Sequence, residues 1–175
     1  MQDHHPPHIY LSDTWYFITA ATYNHTGYLN NDNHKSLIRD TLKSYIQKFN
    51  YRLKAWVILD NHYHVLMKIK SGNDLHHFFS QFHGFTSFRL NQKDRKRGRQ
   101  VWHNYWDTCI RTDIDFWTRF NYIHNNPVKH GYVNKFEDWP FTSYHFYLKK
   151  KGKEWLENCF RDYPVFNFLD NDRFD

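Results

Sequence analysis

The chain has 175 residues, a length that suits one domain, and only 40% of it is apolar, with a mean hydropathy of −0.90. It holds no apolar run of about 18 residues, which excludes a membrane-spanning helix. The net charge of +6, with 14 histidines beyond that count, suits a polyanionic partner. A core is still available because 16 Phe, 13 Tyr and 7 Trp each cover a large area when buried.

Residues 1–12 read as a loose leader. The opening MQDHHPPHIY is polar and lacks the charged-then-apolar layout of a signal peptide, so cytoplasmic residence is expected. Trp15 to Tyr23 is aromatic and β-branched, hence a first strand. Asn24 to Asn33 is a loop. From His34 to Phe49, apolar residues recur at Leu37, Ile38, Leu42, Tyr45, Ile46 and Phe49, which is helical spacing. Arg52 to Leu59 and His62 to Lys70 read as two strands joined at Asp60-Asn61. Leu75, Phe78, Phe79, Phe82, Phe85 and Phe88 mark a second helix ending near Leu90. The basic loop KDRKRGR follows, then a fourth strand from Val101 to Arg111. Asp113 or Asp115 opens a third helix through Phe116, Phe120 and Ile123, which Pro127 is expected to stop. From Lys135 onward a Trp/Tyr/Phe-rich stretch reads as a wrap against the body, and residues 150–175 carry little signal. Cys109 and Cys159 form neither a ligand spacing nor a framework.

The order is β-α-β-β-α-β plus a further helix. That is an α+β, ferredoxin-like arrangement, with an antiparallel sheet and helices on one face. Such a fold hosts many functions, so the function must be read from the site.

The chemistry starts in AWVILDNHYHVLMKI, where one bulky residue separates His62 from His64. On a strand, residues i and i+2 leave the same face, roughly 6.5–7 Å apart, so both imidazoles aim at one region. Tyr63 turns the other way, with Val65 and Met67, to pack under a helix. Two imidazoles do not saturate a divalent ion, and at least one more ligand is needed. In the run FNYIHNNPVKHGYV, Tyr122 and Asn126 lie at i and i+4 on a helix and share a face. An amide oxygen is a competent ligand for a hard cation.

NHYHVLMK resembles the HUH signature of the single-tyrosine transposases, and FNYIHNNPVKHGYV is similar to the tyrosine helix of their REP-associated branch. YWDTCIRTDIDF resembles the segment before that helix, and Trp139-Pro140 with Ser143-Tyr144 the stretch after it. The resemblance covers about Trp15 to Tyr147. It implies that His62, His64 and Asn126 hold a divalent ion, Mg²⁺ or Mn²⁺, with Asn125 as the fallback if the helix end unwinds at Pro127. It implies that Tyr122 is the nucleophile; as a phenol needs help to attack at neutral pH, the nearby Lys129 is the candidate to favour the phenolate or grip phosphate. The product would be a 5′-phosphotyrosine link and a free 3′-hydroxyl, which a second strand's 3′-hydroxyl could reverse. The implied substrate is single-stranded DNA beside a hairpin, in a bacterial cytoplasm.

Relatives often carry proline before Asn61. Asp60 stands here, which would alter the turn or place a carboxylate near the ion. Backbone contacts to DNA are assigned to Lys93, Arg95, Lys96, Arg97 and Arg99, together with Lys129 and His130; Lys149 to Lys153 is a second cluster. The resemblance leaves open a homodimer that exchanges the tyrosine helix. Two other readings stay open: a non-catalytic module stacking bases on its sheet, and a nuclease that uses metal-bound water, perhaps on zinc.

Overall fold

Alternation along the first strand decides both sides of the sheet. In the computed structural model, which describes residues 11–165, β1 (Thr14–Thr22) points Tyr16, Ile18 and Ala20 into one core and Phe17 into another. Buried on both faces, it carries apolar residues at successive positions, which is why it reads as a run rather than as an amphipathic strand.

The helix α1 (Asp32–Lys48) starts where Asn31 accepts a bond from the His34 N–H. The strands β2 (Arg52–Ile58) and β3 (His62–Ile69) form a hairpin, closed by Leu59 N–H donating to His62 C=O. The helix α2 (Leu75–Lys93) runs almost one turn beyond Leu90, and β4 (Trp102–Cys109) completes the sheet. The strand order is β2-β3-β1-β4, with every neighbouring pair antiparallel. The expected α+β architecture is therefore present. The helices α1 and α2 cover one face, with Tyr63, Val65 and Met67 beneath them.

The helix α3 (Asp113–Lys129) packs on the opposite face, over β2 and β3. Thr112 caps it through Asp115 N–H, and Asp113 and Asp115 in the first turn suit its dipole. Pro127 does not stop α3, contrary to the expectation. It lies inside the last turn, where its ring removes a single intrahelical bond. His130 N–H to Asn126 C=O and Tyr132 N–H to Pro127 C=O close the end instead.

Two further helices, α4 (Tyr144–Lys151) and α5 (Lys153–Asp162), complete the second core. Gly152, at φ +88°, makes the sharp break between them. No element was expected at α5, a segment of only ten residues. The histidines at positions 4, 5 and 8, and residues 166–175 of the expected tail, lie outside the described residues. Among the described residues no helix is long and apolar enough to cross a membrane.

Candidate active site

His62 opens β3 immediately after the two-residue turn, and that turn is pinned from two sides. Thr22 N–H donates to Asn61 C=O at 2.8 Å, and Asn61 Nδ2 donates to His25 C=O at 3.2 Å. Pleating then places the His62 and His64 rings 5.0 Å apart, both buried. From the facing helix, Asn126 brings Oδ1 to 3.2 Å from His62 Nε2. Tyr122, one turn earlier, sets its ring edge-on to His64 with centroids 5.3 Å apart. Lys129, two turns past Tyr122, donates from Nζ to Tyr122 Oη at 3.4 Å. The strand histidines and the helix tyrosine thus meet within one chain. Asn126, rather than Asn125, makes the contact with His62. The His130 ring packs 5.2 Å from His62.

α3 is held in place by groups behind it. His124 Nε2 lies 2.8 Å from Ser143 Oγ, which also accepts from Trp56 N–H at 3.0 Å on β2. Arg119, one turn before Tyr122, lays its guanidinium 4.6 Å over the Phe17 ring and pairs with Asp115.

Burial, and next the nearby His130, push the His62 imidazole down to about 3; burial pushes His64 well below its ordinary value. Both rings are therefore neutral near pH 7. A neutral ring carries one N–H, yet His62 faces two oxygens, Asn61 Oδ1 at 2.7 Å from Nδ1 and Asn126 Oδ1 at 3.2 Å from Nε2. Asn61 is oriented by its bond to His25, so Nδ1 holds the proton. The Nε2 lone pair then points at another acceptor, while Asn126 Nδ2 has no hydrogen-bond partner among the described residues. Two converging lone pairs suit a cation between them. On His64, Thr19 Oγ1 engages Nδ1 at 2.8 Å, so Nε2 is the nitrogen turned to a ligand. Among the described residues no three His, Cys, Asp or Glu side chains form a metal cluster, so an amide oxygen is the third donor on offer. Were an octahedral ion held there, two imidazoles and an amide would leave its other positions to water and phosphate.

Asp60 supplies no carboxylate to this group. Its Oδ1 pairs with Lys35 Nζ of α1 at 2.7 Å, and that ammonium lies over the Trp139 and Phe141 rings. In the basic loop, Lys93, Arg95, Lys96 and Arg97 are exposed. Arg99 is engaged by the protein itself: it pairs with Asp94 at 2.7 Å, bonds Asn91 Oδ1, and stacks 4.4 Å over Tyr28. Sequence reasoning missed Thr19, Asn61 and Arg119. Arg119 was within reach as the i−3 neighbour of Tyr122, and Asn61 as the residue beside His62. Thr19 becomes visible only once the β1–β3 register is known.

Residues 10–126 match the family described as "Transposase IS200 like". A putative REP-associated tyrosine transposase of Haemophilus influenzae is 32% identical over 61% of this chain and 66% of its own length. The REP-associated tyrosine transposase of Escherichia coli is 31% identical over 54% and 55%. The aligned part thus spans less than two thirds of either relative. A solved REP-associated tyrosine transposase bound to a REP hairpin shares the fold, with a TM-score of 0.69 at 22% identity, over 87% of this chain and 88% of that one. The matched span contains His62, His64, Tyr122 and Asn126 and covers well over half of the sequence, so the chain belongs to the IS200-like transposase family.

Proposed function

We propose that this protein cuts and rejoins single-stranded DNA beside hairpin-forming repeats, using Tyr122 as the nucleophile and a divalent ion, Mg²⁺ or Mn²⁺, held by His62, His64 and Asn126. The observation that carries the reading is the meeting on one face of α3 of an amide aimed at a strand histidine and a phenol beside a lysine. Hairpin DNA as substrate is supported by the structural relative bound to a REP hairpin.

Tyrosine oxygen is a weak nucleophile at neutral pH because its ordinary pKa is about 10. The Lys129 ammonium stabilises negative charge developing on Oη. Attack on a DNA phosphodiester forms the Oη–P bond and breaks the P–O3′ bond. The phenol proton ends on the departing 3′ oxygen, leaving a 5′-phosphotyrosine and a 3′-hydroxyl. An ion at the histidines would polarise a non-bridging phosphate oxygen and stabilise the transition state's charge. Because the bond energy is kept in the covalent link, a second 3′-hydroxyl can reverse the step without a nucleotide cofactor.

The test is incubation with a labelled hairpin oligonucleotide and Mn²⁺, followed by denaturing electrophoresis and peptide mapping. A shifted band mapping to Tyr122, lost in Tyr122→Phe and in His62→Ala, supports the reading. Cleavage without an adduct, surviving in Tyr122→Phe, would replace it with hydrolysis by water.

A further inference from the structure

Among the described residues, helix covers only half of the sheet face that carries the histidines. The helix α3 lies over β2 and β3, while the β4 side of the same face presents aromatic rings to solvent. Thr19 is the cross-strand partner of His64 on one side and of Trp106 on the other. Directly opposed residues share a face, so Trp106 stands in one row with Thr19 and His64. It is 38% exposed.

A break in the β1–β4 register lies between Ala20 and Thr22, opposite His103 and Asn104. Without it, His103 and Trp106, three residues apart, would leave opposite faces. With one extra residue in the ladder they meet, with ring centroids 5.9 Å apart. Tyr23 continues the line, 6.3 Å from His103 and also 38% exposed. The turn Tyr23–His25 then leads back to the metal-site loop, where His25 C=O receives Asn61 Nδ2. A line of aromatic rings thus runs from the open edge of the sheet to Tyr23, and the turn after it is hydrogen-bonded to the residue beside His62.

We infer that Trp106, His103 and Tyr23 form a stacking track for unpaired bases of single-stranded DNA, which leads the strand to the phosphate that Tyr122 attacks. This rests on the function proposed above. The occupant is set by continuity with the histidine site and by charge, since on the same face Arg119 lies over Phe17 of β1, Lys129 reaches Tyr122 and His130 packs against His62. Asp115 is paired with Arg119, and Asp107 lies opposite Ile18, on the other face. Duplex DNA does not fit the same role, because its bases are already stacked on each other and show only their edges. Base–aromatic stacking tolerates sequence, so the track would order the strand while leaving recognition of individual bases to other groups.

The test uses the full chain carrying Tyr122→Phe, so that no covalent step enters the affinity. Two oligonucleotides are compared, a hairpin with an unpaired flank and the same hairpin without it, with 2-aminopurine placed in turn at each flank position. The expected results are quenching at one or two flank positions and a loss of about tenfold in affinity for the flanked hairpin in Trp106→Ala, largely restored in Trp106→Phe. His103→Ala and Tyr23→Ala should weaken the same oligonucleotide, and they decide the matter should Trp106→Ala fail to fold. Unaltered affinity and quenching in folded variants would overturn the track. Absence of an adduct with Tyr122 intact would instead overturn the catalytic reading, leaving the stacking result standing.

Discussion

Lys129 Nζ sits 3.4 Å from Tyr122 Oη although seven residues separate them, because two helical turns bring both side chains to one face of α3. The cation is thus delivered to the phenol by the helix that carries it. Lys129→Met should slow adduct formation by about a hundredfold, the scale for removing one charge-stabilising group. Single-turnover rates of adduct formation check this, and an unchanged rate with weakened binding of the oligonucleotide would assign Lys129 to phosphate binding.

Thr19 orients His64 through Nδ1 without itself being a ligand. Thr19→Val keeps the shape and deletes the bond. It should weaken Mn²⁺ binding by roughly 10- to 100-fold, the usual cost of losing such an outer partner. Calorimetric titration with Mn²⁺ reads the change, and Tyr122→Phe should leave that affinity intact.

Burial holds His83 and His124 neutral, each lowered to about 3 from 6.5. As pH falls through 6.5, the unfolded rings take up protons while the native rings do not. Stability from these two is therefore complete above pH 6.5 and is lost toward pH 3, at about 1.4 kcal/mol per pH unit for each ring. Urea unfolding at pH 7, 6 and 5 should show the decline. His124→Gln should flatten it by one proton's worth; an unchanged slope would mean that His124 is protonated in the native state.

The basic loop divides into two roles. Replacing exposed Lys93, Arg95, Lys96 and Arg97 by Gln should weaken hairpin binding and flatten its salt dependence, by up to about 0.9 in slope for each phosphate left without a cation. Arg99→Gln should act on folding, lowering the melting temperature, because its guanidinium is bonded to Asp94 and Asn91.

The Lys35–Asp60 pair predicts an asymmetry. The Lys35 side chain is 4% exposed and that of Asp60 32%. Asp60→Ala leaves a buried ammonium uncompensated and should cost about 2 kcal/mol, discounted from the fully buried case by the exposure of Asp60. Lys35→Met, which removes the buried charge, should cost much less. Chemical denaturation of both variants decides it, and equal losses would show that the ammonium is well solvated.

Much of the architecture is visible in the chain. The four strands and first three helices follow from periodicity and turn residues, because side chains alternate on a strand and repeat every three to four residues on a helix. The end of α3 is not, since a proline in the last turn of a helix costs only one bond and packing can hold that turn closed. Nor is α5, a short helix whose stability comes from Leu156 and Cys159 buried against α3 and α4.

The same division runs through the candidate site. Spacing along the chain determines that His62 and His64 share a face, and that Tyr122, Asn126 and Lys129 share another, because these relations are local and backbone geometry enforces them. Tertiary structure alone decides that the two faces confront each other, that Thr19 holds the His64 ring, that Asp60 goes to Lys35 instead of the site, and that Trp106 stands in the row of His64. Those relations depend on sheet register, a bulge and helix docking, where residues about 25 to 90 positions apart are brought together by burial rather than by any pattern that neighbouring residues could record.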